Sequence, residues 1–438
     1  MYILFVFFIS FILLLTGVYK GVFIAYPLLL VFILFILLAY KEGIKTKTII
    51  EFLKKGIKVS FVVFQVLVLI GALTGSWMSS GTVGALVYYG VTYLNPTFFA
   101  LYAFLICSFI SFLLGSSFGT IGTIGIALIV IARSGGGNIP LIAGAIISGA
   151  YVGDRNSPMS SSALLVSTIT ETDIFTNITN MFKSSLVPFV IASVGFAGLS
   201  LIYPLNFKES SITFDILSTY SINFITLIPA LIIILSVRFK IKVKKAIILS
   251  LISAGIISVF IQGSSPYDFI RHIIFGYSLN PQNPLATIIS GGGMISMVKI
   301  ITVIIISSSI ASIIEVIKVT EIINKFTHKA KGDRAVFLYT TIISFFSAAF
   351  GCTQVIAVML THLLGKDMYR KNEISNEIFA LNIENTAIVI APLIPWNIAV
   401  LAPLLLLEAP TISIIYALYL YILPAYRLLV PYNGKILP

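Results

Sequence analysis

"GDRNSPMSSSALLVST", residues 153–168, sets an acid, a base, an amide, six hydroxyls and a proline inside a chain that is otherwise close to hydrocarbon. The 438 residues are 58% hydrophobic and 10% charged, with a mean hydropathy of +1.07. A soluble domain carries about 25% charged residues. Windows long and apolar enough for a bilayer core of about 30 Å recur along the chain, among them 2–15, 22–38, 59–73, 96–114, 186–203, 222–237 and 246–261. The expected fold is an all-α polytopic membrane protein of about 10–12 transmembrane helices or half-helices. Met1 to Thr16 has no basic leader and no small-residue cleavage site after it, so it reads as a retained helix.

In lipid every backbone N–H and C=O must find a partner, so an irregular segment at membrane depth survives only inside protein or beside a watery cavity. Residues 139–152 read as a helix stopping at Gly153, and Ser157-Pro158 as an N-cap followed by proline at the first helical position. Such a break presents free carbonyls on one side and a partly positive helix start on the other, which together make an ion site. The same grammar returns in "NIENTAIVIAPLIPWNIAVLAP", 382–403, where Asn382, Glu384, Asn385 and Thr386 precede Pro392, Pro395 and Asn397. Each stretch follows a small-residue run containing Phe-Gly, at Phe118 and Phe350; Phe118 to Asp154 is 36 residues and Phe350 to Glu384 is 34. Paired interruptions in two halves point to a secondary transporter whose site lies where the repeats meet.

The net charge of +12 resides in loops between spans, chiefly 41–58, 238–245, 328–334 and 365–371. That is the positive-inside pattern, which places all four in the cytoplasm and removes the case for a nucleic-acid partner. Segment 41–58 also has an amphipathic look and is expected along the anionic lipid surface. Cys107 and Cys352 sit in apolar runs with no metal or disulfide spacing. No nucleophile-base pair stands out, so an enzyme is not expected.

"IGALTGSWMSSGTVGALVYYG" (70–90), "GSSFGTIGTIGIALIVIA" (115–132), "GDRNSPMSSS" with "TDIFTNI" (153–178) and "ENTAIVIAPLIPWN" (384–397) resemble the signature segments of the NhaC-type Na⁺/H⁺ antiporter family, in order and spacing over about residues 55–430. The resemblance implies a multi-pass antiporter of a prokaryotic inner membrane, built from inverted repeats with broken helices and re-entrant hairpins. The family includes exchangers of organic acids as well as of cations. Against its usual Gly-Asp-Lys-x-Ser-Pro-x-Ser-Asp-Thr pattern this chain keeps Asp154, Ser157, Pro158 and Ser160 but has Ser161 for the second acid; Thr353, before Gln354, and Asn385, after Glu384, also stand where the family commonly has acids.

A cation/proton exchanger needs a carboxylate whose protonated and cation-bound states exclude each other. Asp154 is the leading candidate and the expected Na⁺ ligand, with oxygens from Ser157, Ser160, Ser161 and Ser162 completing the shell; as a helix cap or a partner of Arg155 it would be structural instead. Glu384 is second, with bracing of a half-helix as the structural alternative. The remaining candidate ion- or substrate-binding positions are Asn156, Thr120, Thr353, Gln354, Asn385, Thr386 and Asn397. Lys299 reads either as a fixed cation of the core or as a snorkelling side chain.

The expected division is 1–58 for N-terminal helices and a basic loop, 59–237 for the first transport repeat, 238–285 for a basic loop and connection, and 286–438 for the second repeat. The expected activity is Na⁺/H⁺ exchange by alternating access, the alternative being exchange of small organic acids or amino acids. No cofactor is expected beyond the transported Na⁺ and H⁺. Expected partners are membrane lipid and a small cation or small organic solute, with a homodimer allowed.

Overall fold

The structure, a computed structural model, describes residues 2–206, 211–239, 241, 243–317 and 330–431, and these contain helices and no strand. Lys240, Lys242, His328 and Lys329 of the basic clusters lie outside the described residues. In chain order the helices are α1 Tyr2–Tyr19, α2 Ala25–Lys41, α3 Thr46–Ser79, α4 Thr82–Tyr93, α5 Phe99–Leu114, α6 Ser117–Ser134, α7 Ile139–Asn156, α8 Ser161–Thr170 and α9 Ile174–Ile202. The second half continues with α10 Ser211–Thr219, α11 Ile228–Arg238, α12 Val243–Phe260, α13 Pro266–Phe275, α14 Val298–Val316, α15 Asp333–Gly351, α16 Gln354–Lys371, α17 Asn376–Leu393, α18 Ile398–Leu406 and α19 Leu418–Leu429. Among the described residues, five helices are long and apolar enough to cross a membrane, or up to eight spans if each sharply bent pair counts as one. The chain is a polytopic helical membrane protein.

Helix starts follow local chemistry. The side chains of Ser116, Asn138, Ser160, Thr353, Ser375 and Asn397 each accept a hydrogen bond from a backbone N–H in the first turn of the helix they precede. α5 ends on Gly115 at φ 62°, where a Cβ would stand 2.5 Å from the Met159 carbonyl carbon, so only glycine fits there. α15 ends the same way on Cys352 at φ 52°, a left-handed conformation that costs a non-glycine residue about 1 kcal/mol.

These caps reveal a repeat. Adding 237 to the bounds of α6 (117–134) and α7 (139–156) gives those of α16 (354–371) and α17 (376–393), and the caps Ser116, Asn138 and Ser160 become Thr353, Ser375 and Asn397. The register differs from the one expected from Phe-Gly and the acids. Phe118 follows its break whereas Phe350 precedes its own, and Asp154 corresponds to Ala391, not to Glu384. Chemical likeness misaligned the halves because the acids do not occupy equivalent positions; hydrogen-bonded helix starts do.

The repeats run in opposite directions. α7 begins beside the end of α6, and α8 ends against α16, where Ile169, Thr170 and Glu171 line one cavity with His362, Lys366 and Arg370. α17 begins beside the end of α16, and α18 ends against α6, where Arg133 Nη2 donates to Leu407 O at 2.8 Å. The broken helix α7–α8 therefore passes from the α6 mouth to the α16 mouth, and α17–α18 passes back. That is an inverted repeat of two interrupted helices, each held at its break by a hairpin tip.

Small residues set the packing. A Cβ on Gly149 of α7 would stand 2.8 Å from the Cys107 Cβ of α5, and one on Gly56 of α3 would stand 2.5 Å from Ser312 Oγ of α14. α3 is one helix of 34 residues, about 50 Å long. Residues 46–58, most of the amphipathic segment 41–58, form its first turns and run on without a break into the apolar part of the helix. The loop joining α16 to α17 meets the start of α15, since Gly332 N–H donates to Asn372 Oδ1 at 3.2 Å. Lys331 and Arg334 thus share an end of the molecule with Lys366, Arg370 and Lys371, as the charge pattern requires.

Candidate functional site

Asp154 sits in the last turn of α7, and the helix continues to Asn156 instead of stopping at Gly153. Ser157 is extended (φ −90°, ψ 134°), Pro158 and Met159 form a turn, and the cap of α8 is Ser160, not Ser157. Ser157 Oγ accepts from Met159 N–H at 3.2 Å and so holds the turn. Proline here shapes the turn and does not open the next helix.

The Asp154 carboxylate is buried and bridges two helix starts. Oδ1 accepts from Ser160 Oγ at 3.0 Å, and Oδ2 accepts from Ser117 Oγ at 3.0 Å. Ser160 also accepts the Ser162 and Ala163 N–H groups, so one hydroxyl fixes the start of α8 and the carboxylate together. Two capped helix N-termini thus face one acid, which offsets part of the cost of burying its charge.

Arg155 is fully buried and does not pair with Asp154. Its guanidinium crosses to the other repeat: Nε donates to Glu384 O at 3.2 Å and Nη2 donates to Asn385 Oδ1. Nη1 donates to Asn156 Oδ1 at 3.0 Å and Met181 O at 3.3 Å, and Nη2 also donates to Ser184 Oγ at 3.1 Å. All five donors of the guanidinium are committed. Glu384 itself is buried, within electrostatic reach of both Asp154 and Arg155, and neither of its carboxylate oxygens accepts a hydrogen bond from any described residue. The structure therefore brings Asp154, Asn156, Glu384 and Asn385 together around Arg155, which sequence reasoning weighed only as a partner for Asp154.

The other candidates are placed elsewhere. Ser161 is exposed, and the adjacent Ser162 is the buried hydroxyl that contacts Ser160 at 2.7 Å. Thr120 Oγ1 turns back to donate to Ser116 O at 2.9 Å, Thr353 caps α16, and Gln354 Nε2 donates to Ile388 O at 3.4 Å. Asn397 braces the second break, with Nδ2 donating to Ala348 O at 2.8 Å while Oδ1 accepts Ala399 N–H at 2.9 Å. Thr386 lies at a kink in α17 and belongs to a string of hydroxyls with Ser344 (2.8 Å) and, through it, Thr361 (3.3 Å). Lys299 is exposed, so it is no fixed charge of the core.

Sequence reasoning missed Ser117 and Ser184. Ser117 follows the cap Ser116 and becomes visible only once α6 is docked on the break; Ser184 lies inside the otherwise featureless α9.

A description of the Na⁺/H⁺ antiporter family matches residues 1–170 and 149–434, which is nearly the whole chain. The chain belongs to the Na⁺/H⁺ antiporter family. Among its relatives, a malate-2H⁺/Na⁺-lactate antiporter of Bacillus subtilis is 30% identical over 82% of this chain and 78% of its own length. The Na⁺/H⁺ antiporter NhaC of the same organism is 28% identical over 93% of this chain and 92% of its own. An arginine/ornithine antiporter of Halobacterium salinarum is 28% identical over 76% and 70%. Membership of a family of transporters agrees with a fold whose buried charges gather where two inverted repeats are interrupted.

Proposed function

We propose that the chain is a secondary antiporter of a prokaryotic cell membrane that exchanges Na⁺ for H⁺ by alternating access, with Asp154 as the group over which the two ions compete. The observation that carries this reading is the charge count at the break. Asp154, Arg155 and Glu384 are buried together, and with both acids ionised they sum to one negative charge. Elsewhere in the described interior the buried charged side chain is Arg427, which pairs with Asp333 at 2.7 Å. An uncompensated charge in a dry interior costs several kcal/mol, roughly, so a cation is held there or the site takes up a proton. One Na⁺ or one H⁺ cancels it, and neither leaves room for the other. Oxygens suited to a hard cation are at hand in Asp154, Ser117, Ser160 and the unsatisfied Glu384 carboxylate.

The relatives that carry malate and lactate, or arginine and ornithine, raise a second reading, in which a carboxylate replaces the bare ion. A buried arginine is the usual clamp for such a group. Arg155 has no donor left to offer, and this favours the cation. The test is collapse of an imposed pH gradient in proteoliposomes, adding Na⁺, Li⁺, K⁺, malate, lactate and basic amino acids one at a time. Collapse by Na⁺ or Li⁺ alone is expected; silence to cations with a response to an organic solute overturns the reading.

A further inference from the structure

The 237-residue correspondence extends to the two mouths of the molecule, and there the halves differ. At the α6 mouth Arg133 and Glu408 form an ion pair at 3.0 Å, and Arg133 Nη2 also donates to Leu407 O at 2.8 Å and Glu408 O at 3.3 Å. This arginine ties the end of α18 to the end of α6. Shifted by the repeat, Arg133 becomes Arg370, and Glu408 is the counterpart of Glu171. Both correspondents exist as the same residue types. The two acids share a rare backbone as well, Glu171 at φ 56° and Glu408 at φ 47°, each just beyond the end of its half-helix.

Arg370 and Glu171 are not joined. They stand on the rim of a cavity of about 330 Å³ between α8, α16 and α17, whose floor is the buried Thr170, Tyr369 and Phe379. Arg370 instead reaches Asp367 at 3.6 Å on its own helix. The cavity lies at the end that carries Lys331, Arg334, Lys366 and Lys371. One mouth is locked by an Arg–Glu pair across the repeat interface, and the equivalent mouth is open with its Arg and Glu apart.

We propose that Glu171 and Arg370 are the second gate pair of the exchange cycle: they close on each other when Arg133 and Glu408 part. Alternating access then consists of trading one ion pair for its repeat-related twin. In each closed form the arginine also covers the last carbonyls of the half-helix it holds, α18 in the present state and α8 in the other. Such a trade keeps the number of pairs across the repeat interface constant, so the two states stay close in free energy, which a carrier requires. The proposal rests on the antiporter reading, but its first readout below, disulfide formation and thiol labelling, uses no transported ion.

The experiment places cysteines at each pair, Glu171→Cys with Arg370→Cys and Arg133→Cys with Glu408→Cys, in the full chain in membrane vesicles. His362→Cys, half-buried in the cavity wall, serves as the probe for a membrane-impermeant maleimide. Both pairs are expected to form disulfides under oxidant; the 133–408 link leaves the thiol introduced at position 362 open to labelling, and the 171–370 link protects it. Failure of 171–370 to link while 133–408 does, or labelling at position 362 despite the 171–370 link, overturns the proposal. Should the cysteine variants not insert, Arg370→Glu is expected to slow turnover by about fivefold at unchanged apparent affinity, with recovery in Arg370→Glu/Glu171→Arg. No recovery in the swapped pair also overturns it. If labelling follows the locks but Na⁺ drives no exchange, the gate stands and the ion assignment falls.

Discussion

The breaks at 157–160 and 394–397 are the same piece of backbone. Ser157 and Ile394 share φ −90° with ψ 134° and 112°, and the caps Ser160 and Asn397 lie at φ −71° and −75° with ψ 131° and 137°. Pro158 and Pro395 correspond. The chemistry on that backbone is opposite. The first break carries Asp154, Arg155 and Ser160; the second carries Ala391, Pro392 and an asparagine whose amide is spent on Ala348 and Ala399. The same geometry carries charged side chains at one break and neutral ones at the other. The second repeat contributes to the site from inside α17, through Glu384 and Asn385, at positions whose first-repeat counterparts are Ile147 and Ser148.

The two breaks differ most at Arg155, whose counterpart is Pro392. Arg155→Met removes the donor to Asn156 Oδ1, Asn385 Oδ1, Ser184 Oγ and the backbone carbonyls of Met181 and Glu384, and removal of a buried charge partner costs about 3–5 kcal/mol. A large drop in thermal midpoint in detergent is expected, and Arg155→Lys recovers little of it because an ammonium cannot reproduce the fork. Pro392→Ala, at the equivalent place, is expected to change stability by about 1 kcal/mol or less.

Moving the acid is the next test. Asp154→Ala is expected to stop exchange, and Asp154→Ala/Ala391→Asp to leave it stopped, because Gln354 and Asn397 replace the two serine hydroxyls that hold Asp154. Recovery in the double variant would mean that either break can carry the chemistry.

The caps sharpen the contrast further. Ser160→Ala and Asn397→Ala each lose a helix cap worth about 1 kcal/mol. Only Ser160→Ala is expected to raise the Na⁺ concentration for half-maximal exchange as well, since Ser160 also donates to Asp154. Equal shifts in that concentration for both variants would erase the distinction. Smallest of all, Ser161→Ala is expected to stay within about 0.5 kcal/mol of the parent in unfolding, with unaltered exchange, because Ser161 is exposed.

Much of this was legible in the chain. Hydropathy and loop charge announce a polytopic membrane protein, and "GDRNSP" announces a helix interrupted where no solvent can repair it. The paired break with Pro395 and Asn397 was readable too. The register between halves was not, because acids attract the eye while the quantity the halves share is where helices begin; Ser116, Asn138 and Ser375 are ordinary polar residues until the backbone shows them capping. Nor could the sequence say that Arg155 would turn away from Asp154. Adjacent residues on a helix point about 100° apart, and only the docking of α17 supplies the carbonyl and amide that Arg155 takes instead. The relation among Arg133, Glu171, Arg370 and Glu408 appears only after the 237-residue shift is known.

Cancellation of the one negative charge at Asp154, Arg155 and Glu384 by either Na⁺ or H⁺ makes Na⁺ binding displace a proton. That displacement is tested most directly by adding NaCl to purified protein in weakly buffered detergent solution and following the pH, with choline chloride as the control. Release of protons by Na⁺ and not by choline, abolished in Asp154→Asn, is the predicted result. Binding of Na⁺ without proton release, or proton release that persists in Asp154→Asn, would contradict it.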